Sequence, residues 1–485
     1  MKYFKPLDSR RAVPPLRHVI YIIPLILFTA SFYAFYSTQH LSDLSEISKA
    51  DPALYQFAME GKSAYATVIY KDYLPASFEK LREWQFGDGK IAYIYVSGQD
   101  LKNILESENL IYAYSWTRYS PLEAKISLPP HKLGASSTYY KYDLSYDAKR
   151  RWHGANQFWT GRGVTVAVID TGIDYTHPDF FDGGKSVIKV LVSAIYKDST
   201  GNLYYVETEN YTPAQMKALA SWELTATQNL QNRMYIDVYG HGTHVAGIIA
   251  GQGNANPLYM GIAPGAKLVV IKAFFDNGYA SEESILDSLQ WLYDNAEKYK
   301  VKVLSCSFGS YPYTSAVKPS PIEVAIKKLV EDKGIFVFAS AGNELALPGT
   351  ILSPAKSASV FAVGAIDPYS GKLAVFSSIG EPYPPIVPSE WIKPDFVGAG
   401  VNVISARSQF MQVGGGYYIL MSGTSMACPS VAAVFACFYE YFTETKNRPP
   451  TAEDFILYTR NYGVVYNPLW KDFITGYGSP KVPPS

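Results

Sequence analysis

Cysteine is nearly missing from this chain, with three residues in 485: Cys306, Cys428 and Cys437. The last two share a small-residue run that reads as one helix, where their nine-residue spacing sets them on opposite faces, roughly 13 Å apart along the axis. They cannot bridge without breaking that helix. All three read as small buried residues, so a disulfide framework and a cysteine-held metal are both excluded. Net charge is missing too. The 43 basic and 43 acidic residues cancel, which leaves no field to draw in nucleic acid or another polyanion. Charged residues make up 18% against 48% apolar ones, the balance of an ordinary globular chain, and the length allows two or three domains. Tyrosine is abundant, at 40 residues, and no function follows from that.

One long apolar run exists, Val19 to Tyr36, uncharged and preceded by Lys2, Lys5, Arg10, Arg11 and Arg17 against the single acid Asp8. About 18 such residues just cross a bilayer. Residues 1–18 then stay cytoplasmic as a basic tail, and the remainder is sent outward. A cleaved signal peptide is the alternative for 19–36. The long basic stretch, the length of the run and the want of an Ala-x-Ala site favour a signal anchor. Behind it, residues 60–120 break into short elements. Strands are expected at Tyr65 to Tyr70, Lys90 to Val96 and Leu110 to Trp116, with helices at Ser77 to Trp84 and Gln99 to Ser107. This is a small α+β unit of a size that folds only marginally alone. Residues 121–150 read as an exposed linker with Pro129-Pro130, Gly134 to Ser137 and a basic trio, Lys149-Arg150-Arg151, at its end. Such segments are where chains are nicked.

From Gly163 the pattern turns strongly α/β. Val164 to Ile169 is a continuous apolar run ending in Asp170-Thr171-Gly172, the form of a buried parallel strand with a polar carboxyl end. Similar strands recur at Lys267 to Ala273, Val301 to Ser307, Ile335 to Ser340 and Val360 to Ile366. Helical stretches lie between them at His244 to Ala250, Ser281 to Tyr299 and Pro321 to Lys333. The alternation predicts a mostly parallel sheet covered on both faces, with its site at the carboxyl ends of the strands.

Chemistry-bearing residues stand at those ends. Met421 to Val434 opens with Ser422, Gly423 and Thr424, which suit a helix start, and continues in small residues, with Pro429 expected in the first turn. Ser425 there has free backbone donors and the positive end of the helix dipole beside it, although a serine so placed is most often only a cap. A serine nucleophile needs a base near pKa 7, an acid to orient that base, and donors for an oxyanion. His241, in Gly240-His241-Gly242-Thr243-His244, Asp170 and Asn343 supply one of each.

At these stretches the chain resembles the subtilisin-like serine proteases, which share the order Asp, His, Ser. The likeness rests on Val-Ala-Val-Ile-Asp-Thr-Gly-Ile-Asp at 166–174, His-Gly-Thr-His-Val-Ala-Gly at 241–247 and Gly-Thr-Ser-Met-Ala at 423–427. It extends to Gly261 to Pro264, Ser307 to Gly309, Lys393 to Asp395 and Gly476 to Gly478, over roughly 150–480. It implies a three-layer subtilisin-like α/β catalytic domain at 151–485. Asp170 would be the orienter, His241 the general base, Ser425 the nucleophile and Asn343 the oxyanion donor. It implies that Ser307, Phe308 and Gly309 line the primary pocket, with Gly278 to Ser281 on the other side of a peptide bound by strand addition. It also makes the 60–120 unit a ferredoxin-like inhibitory propeptide, cut away somewhere in 117–145, and protein or peptide the substrate. No cofactor is required for the chemistry. Asp179 matches a calcium ligand of the family, and Asn254 and Asn256 sit in the loop that completes that site, though the loop is short of carboxylates.

Three departures stand out. About 40 extra residues separate Asp170 from His241, at roughly 182–236, and read as a polar surface insertion beside the cleft. Cys428 and Ser430 stand where the family has a small residue and a histidine. The chain also ends soon after Gly478. His241 and His244 lack the spacing and glutamate of a zinc pair, so His244 reads as a packed residue, as does His177. Asn210-Tyr211-Thr212 fits a glycosylation sequon. A catalytically silent binding protein and a dedicated processing protease are the competing functions.

Overall fold

The computed structural model describes residues 54, 57, 58, 60–75, 78–114, 118–121, 147–310, 319–382 and 388–485. The basic tail, the apolar run 19–36 and most of the linker lie outside the described residues. The N-terminal unit runs β1 (Ala64–Tyr70), β2 (Glu79–Phe86), β3 (Gly89–Val96), α1 (Gly98–Glu106) and β4 (Leu110–Tyr114). Its strands form one antiparallel sheet in the order β2-β3-β1-β4. The helix expected at Ser77 to Trp84 is instead β2. Trp84 and Phe86, two apart, both turn inward, which is strand periodicity. The turn Gly87-Asp88-Gly89, with Gly87 at φ 58°, leads directly into β3.

A short strand β5 (Arg118–Pro121) and helix α2 (Ala148–His153) precede the larger sheet. That sheet draws on β6 (Thr165–Asp170), β9 (Ile188–Lys197), β10 (Leu203–Glu207), β11 (Lys267–Lys272), β13 (Val301–Cys306), β15 (Phe336–Ser340), β16 (Phe361–Ile366) and β17 (Phe396–Ala399). A small hairpin, β7 (Phe181–Asp182) with β8 (Lys185–Ser186), stands apart, as do β12 (Ala280–Ser281), β14 (Phe308–Gly309) and the pair β18 (Val403–Ala406) and β19 (Tyr418–Met421). The order in the large sheet is β10-β9-β11-β6-β13-β15-β16-β17, parallel throughout except at the β10 edge.

Helices follow as α3 (Pro213–Ala226), α4 (His241–Ala250), α5 (Glu282–Asn295), α6 (Pro321–Lys333), α7 (Thr424–Lys446) and α8 (Ala452–Tyr462). In β6, Val166 and Val168 pack with α4 and α7, while Ala167 and Ile169 pack with α5 and α6. A strand buried on both faces has no polar side to show, which is why β6 reads as an unbroken apolar run. Ile69, Trp84, Phe86 and Ile91 of the N-terminal unit join the α5–α6 core.

The 182–236 segment is not wholly a surface insertion. Its β9 lies inside the sheet, with Val190, Leu191 and Val192 buried and paired in parallel with β11. Pro429 falls in the second turn of α7 instead of the first. Lacking an N–H, it leaves the Ser425 carbonyl without its helical partner, and Ser307 Oγ donates to that oxygen at 2.9 Å. Among the described residues, α7 alone is long and apolar enough to cross a membrane, and it is a buried core helix.

Around α7, Phe338, Phe361, Phe396, Phe435 and Phe438 surround Phe455, the Phe435 and Phe455 rings meeting edge-on at 4.9 Å. Offset and edge contacts of this kind add to simple burial. Phe455→Ala therefore lowers stability by about 3–5 kcal/mol, read by urea unfolding in a Ser425→Ala background.

Candidate active site

Asp170 ends β6, buried, and its Oδ1 accepts from the Thr171 N–H at 2.7 Å and faces His241 Nδ1 at 2.7 Å. His241 is the first residue of α4, after Gly240 at φ 97°. Glycine at 242 lets the two segments touch: a Cβ there would lie 2.2 Å from the Gly172 carbonyl oxygen. The residue that fixes this helix start is Asp237, which the sequence reading passed over. Its buried carboxylate accepts from Gly240 N at 2.7 Å, Thr243 N at 2.9 Å, Thr243 Oγ1 at 2.7 Å and Thr171 Oγ1 at 2.9 Å. A carboxylate just ahead of a helix's free N–H groups is the available signal.

Ser425 is the second residue of α7, and its hydroxyl donates to the Ser307 carbonyl at 2.8 Å while the Ser307 hydroxyl returns a bond to the Ser425 carbonyl. Asn343, just past β15, accepts from Thr424 N and Thr424 Oγ1, both at 3.0 Å. With the amide oxygen so engaged, the amide nitrogen is the end turned to other partners. Asp170, Ser307 and Asn343 thus stand at the carboxyl ends of the neighbouring strands β6, β13 and β15.

The two cleft edges are occupied by the chain itself. β5 lies between β12 and β14, with Tyr119 opposite Ala280 and Ser120 opposite Gly309 in antiparallel register. Phe308 and Gly309 therefore pair with an extended segment. Gly278 lies beyond the ladder, and a Cβ on it would meet the Tyr239 ring at 2.4 Å.

Asp179, Asn254 and Asn256 gather away from this centre, and they do not suit calcium. Asp179 Oδ1 accepts from Ala255 N at 3.0 Å and Oδ2 from the Tyr418 hydroxyl at 2.8 Å. The Asn254 amide nitrogen donates to the Pro178 and Phe181 carbonyls, at 2.9 and 2.6 Å. Donors thus stand where a cation would draw oxygens together. Asn256 Oδ1 accepts from Leu258 N. No group of three acidic, histidine or cysteine side chains that could hold a metal ion is found among the described residues.

His244 Nε2 lies 3.1 Å from the Val403 and Ile419 carbonyls, and burial lowers its pKa to about 3. His177 caps Asp179 N and contacts the Tyr417 carbonyl. The three cysteines are free and buried, and burial pushes the Cys428 thiol up to about 12.

Ser430 also finds its explanation. Its hydroxyl donates to the Ala427 carbonyl at 2.7 Å and lies 3.1 Å from Nε2 of His153, an imidazole brought in by α2. That nitrogen accepts from Ala399 N, so Nδ1 carries the proton toward the Pro480 carbonyl at 2.8 Å. Protonating Nε2 would set donor against donor. Burial lowers the His153 pKa to about 3.

Comparison with known proteins bears on the whole arrangement. The Subtilase family model matches residues 161–478. The thermophilic serine proteinase of Bacillus sp. (strain AK1) is 32% identical over 56% of this chain and 51% of its own length. Serine protease AprX of Bacillus subtilis (strain 168) is 31% identical over 58% of each. The chain thus spans little more than half of these relatives. Fervidolysin from Fervidobacterium pennivorans, a keratinolytic enzyme related to subtilisin, superposes with a TM-score of 0.57 at 24% identity, over 87% of this chain and 60% of that one. Sphericase does so with a TM-score of 0.52 at 22% identity, over 69% and 97%. At those identities the likeness is one of fold.

His153, the Asp179 loop and Tyr418 each carry a measurable consequence. The unfolded imidazole of His153 takes up a proton near pH 6.5 while the folded one resists to about 3. Stability is therefore full above pH 6.5 and falls as pH drops toward 3, by about 1.4 kcal/mol per unit for such a group. His153→Gln flattens the stability curve between pH 6 and 4, as urea titrations at stepped pH will record. Asp179→Asn leaves the response of the melting temperature to excess calcium unchanged, where loss of an occupied site would remove about 2.7 kcal/mol at a hundredfold excess over Kd. Tyr418→Phe lowers stability by about 1–3 kcal/mol by stranding Asp179.

Proposed function

The chain belongs to the subtilase family, and from that premise we propose that it is a serine endopeptidase cleaving proteins or peptides through an acyl-enzyme. The observation that carries the proposal is the 2.7 Å contact of His241 Nδ1 with Asp170, at the strand ends beside the helix start that presents Ser425. In this mechanism Ser425 Oγ attacks the scissile carbonyl carbon as His241 Nε2 takes its proton. Asp170 holds the ring in the tautomer with Nδ1 protonated and stabilises the imidazolium. The Asn343 amide nitrogen and the Ser425 backbone N–H, at the positive end of α7, receive the oxyanion. His241 then gives its proton to the leaving amine, and water repeats the sequence to free the acid. The chemistry asks for no cofactor.

We further propose that the chain is a self-inhibited zymogen. Support comes from β5, which lies between β12 and β14 as a bound peptide would. It runs antiparallel to β14, so it heads toward Ser307, whose carbonyl touches Ser425. The first cut then falls soon after Pro121, within the 117–145 region. Export by the 19–36 segment, as anchor or cleaved signal, rests on the sequence alone.

In matured protein a fluorophosphonate labels Ser425, and Ser425→Ala leaves the precursor uncut. Absence of adduct would sink the enzyme reading, and normal maturation of Ser425→Ala the self-processing one. Asn343→Ala lowers kcat by about 10²–10³ with KM little changed; that range derives from a member of this same family. N-terminal sequencing of membrane-bound and released protein locates both the cut and the fate of residues 19–36.

A further inference from the structure

We propose that the 182–236 segment, together with α5, forms a receptor dedicated to the chain's own N-terminal unit and reads that unit through Arg82. The inference rests on the zymogen reading above and assigns the inserted residues a role in it. Its centre is Asp287 on α5, whose side chain is fully buried. Asp287 Oδ1 takes the Arg82 guanidinium through Nε and Nη2, both at 3.0 Å, and the Trp84 indole N–H at 2.8 Å. The third arm of the guanidinium leaves α5 for the β9–β10 turn, where Nη1 donates to the Gly201 carbonyl at 3.2 Å. Gly201 has φ +88°, and a Cβ there would sit 2.9 Å from Nη1, so the turn is shaped for this cation to approach.

The inserted strand also supplies the counter-charge. Lys197, at the end of β9, lies 2.6 Å from Asp287 Oδ2 and 2.5 Å from Glu283 Oε1. A buried carboxylate left alone would oppose departure of the N-terminal unit. Lys197 stays with the catalytic body, so Asp287 remains paired once Arg82 and Trp84 have gone. The surface therefore binds a guanidinium and an indole N–H, yet keeps a cation beside Asp287 when vacated. Nearby contacts set register: Gln85 N donates to Gln290 Oε1 at 2.8 Å, and Thr67 Oγ1 to the buried Glu282 at 2.6 Å. A lysine at 82 would keep the charge and lose the forked geometry that spans α5 and the turn.

Hydrogen exchange on the full-length Ser425→Ala chain tests the surface without relying on catalysis. Arg82→Met should speed amide exchange in both 79–86 and 282–295 at least tenfold, and Arg82→Lys should speed it measurably. Protection across the β1–β3 ladder should hold, showing that the unit itself stays folded. Unchanged exchange at 282–295 in both variants overturns the proposal. So does a loss of protection confined to the N-terminal unit. In the competent chain, Arg82→Met should label with a fluorophosphonate at least tenfold sooner after synthesis. If the parent chain is neither cut nor labelled, the protease reading fails, while the exchange result still decides whether the receptor exists.

Discussion

Asp237 accepts four hydrogen bonds in full burial and touches no reacting atom. Two of them, from Gly240 N and Thr243 N, hold the first turn of α4. A third, from Thr171 Oγ1, holds the residue after Asp170. The carboxylate thus joins the end of β6 to the start of α4, the two elements whose side chains meet at 2.7 Å. The Thr171 hydroxyl completes the joint by accepting from Gly242 N at 2.8 Å. Remove the carboxylate and four buried donors lose their partner, at about 1–3 kcal/mol each. The Asp170–His241 distance would then be set by loop flexibility. Preorganisation of this kind is what lets a serine hydroxyl, weak by itself, be activated.

The inserted segment extends the same joint outward. Glu223 of α3 is buried and accepts from Tyr235 N and Ile236 N at 2.8 and 3.0 Å, and from the Tyr175 hydroxyl at 2.8 Å. Those amides immediately precede Asp237. Asn232 Oδ1 accepts from Asp276 N, and Arg233 N donates to Asp276, which ties the segment to the turn carrying Gly278 and the β12 edge. One stretch of chain therefore supports the loop before His241 and the β12 edge, while its strand β9 lies in the central sheet. Both oxygens of the buried Glu223 carboxylate are matched by donors, as burial of a charge requires.

What could be read from the sequence follows from the range of each interaction. The parallel strands and α6 were visible because burial on both faces, or one amphipathic face, writes a local pattern. Asp170, His241, Ser425 and Asn343 were visible because each stands where a strand ends or a helix begins. The β2 strand was missed because its apolar face, Trp84 and Phe86, is set by α5, some 200 positions away in sequence. β9 was hidden because its first half pairs with β11 while its tail and the turn beyond are polar. Asp237 and Glu223 carry no pattern of their own; only the folded chain shows which amides they meet. The calcium expectation had Asp179 as its one carboxylate beside Asn254 and Asn256, and the hydroxyl that engages Asp179 comes from Tyr418.

His153 shows how far a substitution can reach. With serine at 430, the imidazole that packs beside α7 comes from α2, which begins at Ala148, within the stretch expected to be exposed linker, and buries Lys149. Around it the chain's last residues close a second set of bonds: Trp152 Nε1 to Ser479 Oγ at 2.8 Å, Val482 N to the His153 carbonyl at 2.8 Å and Asn156 Nδ2 to the Pro483 carbonyl at 2.8 Å. Lys149 adds a buried bond to the Ile404 carbonyl at 3.0 Å. A cut soon after Pro121 therefore frees β5 and everything before it from covalent attachment, while α2 stays bound to the catalytic body. The N-terminal unit is held by the contacts around Asp287, by the apolar contacts of Ile69, Trp84, Phe86 and Ile91, by the Asp88–Lys328 pair at 2.8 Å and by the β5 ladder, none of which supports the helix bearing Ser425. Docking of the N-terminal unit and the support of α7 rest on separate sets of bonds, so one can be lost without the other.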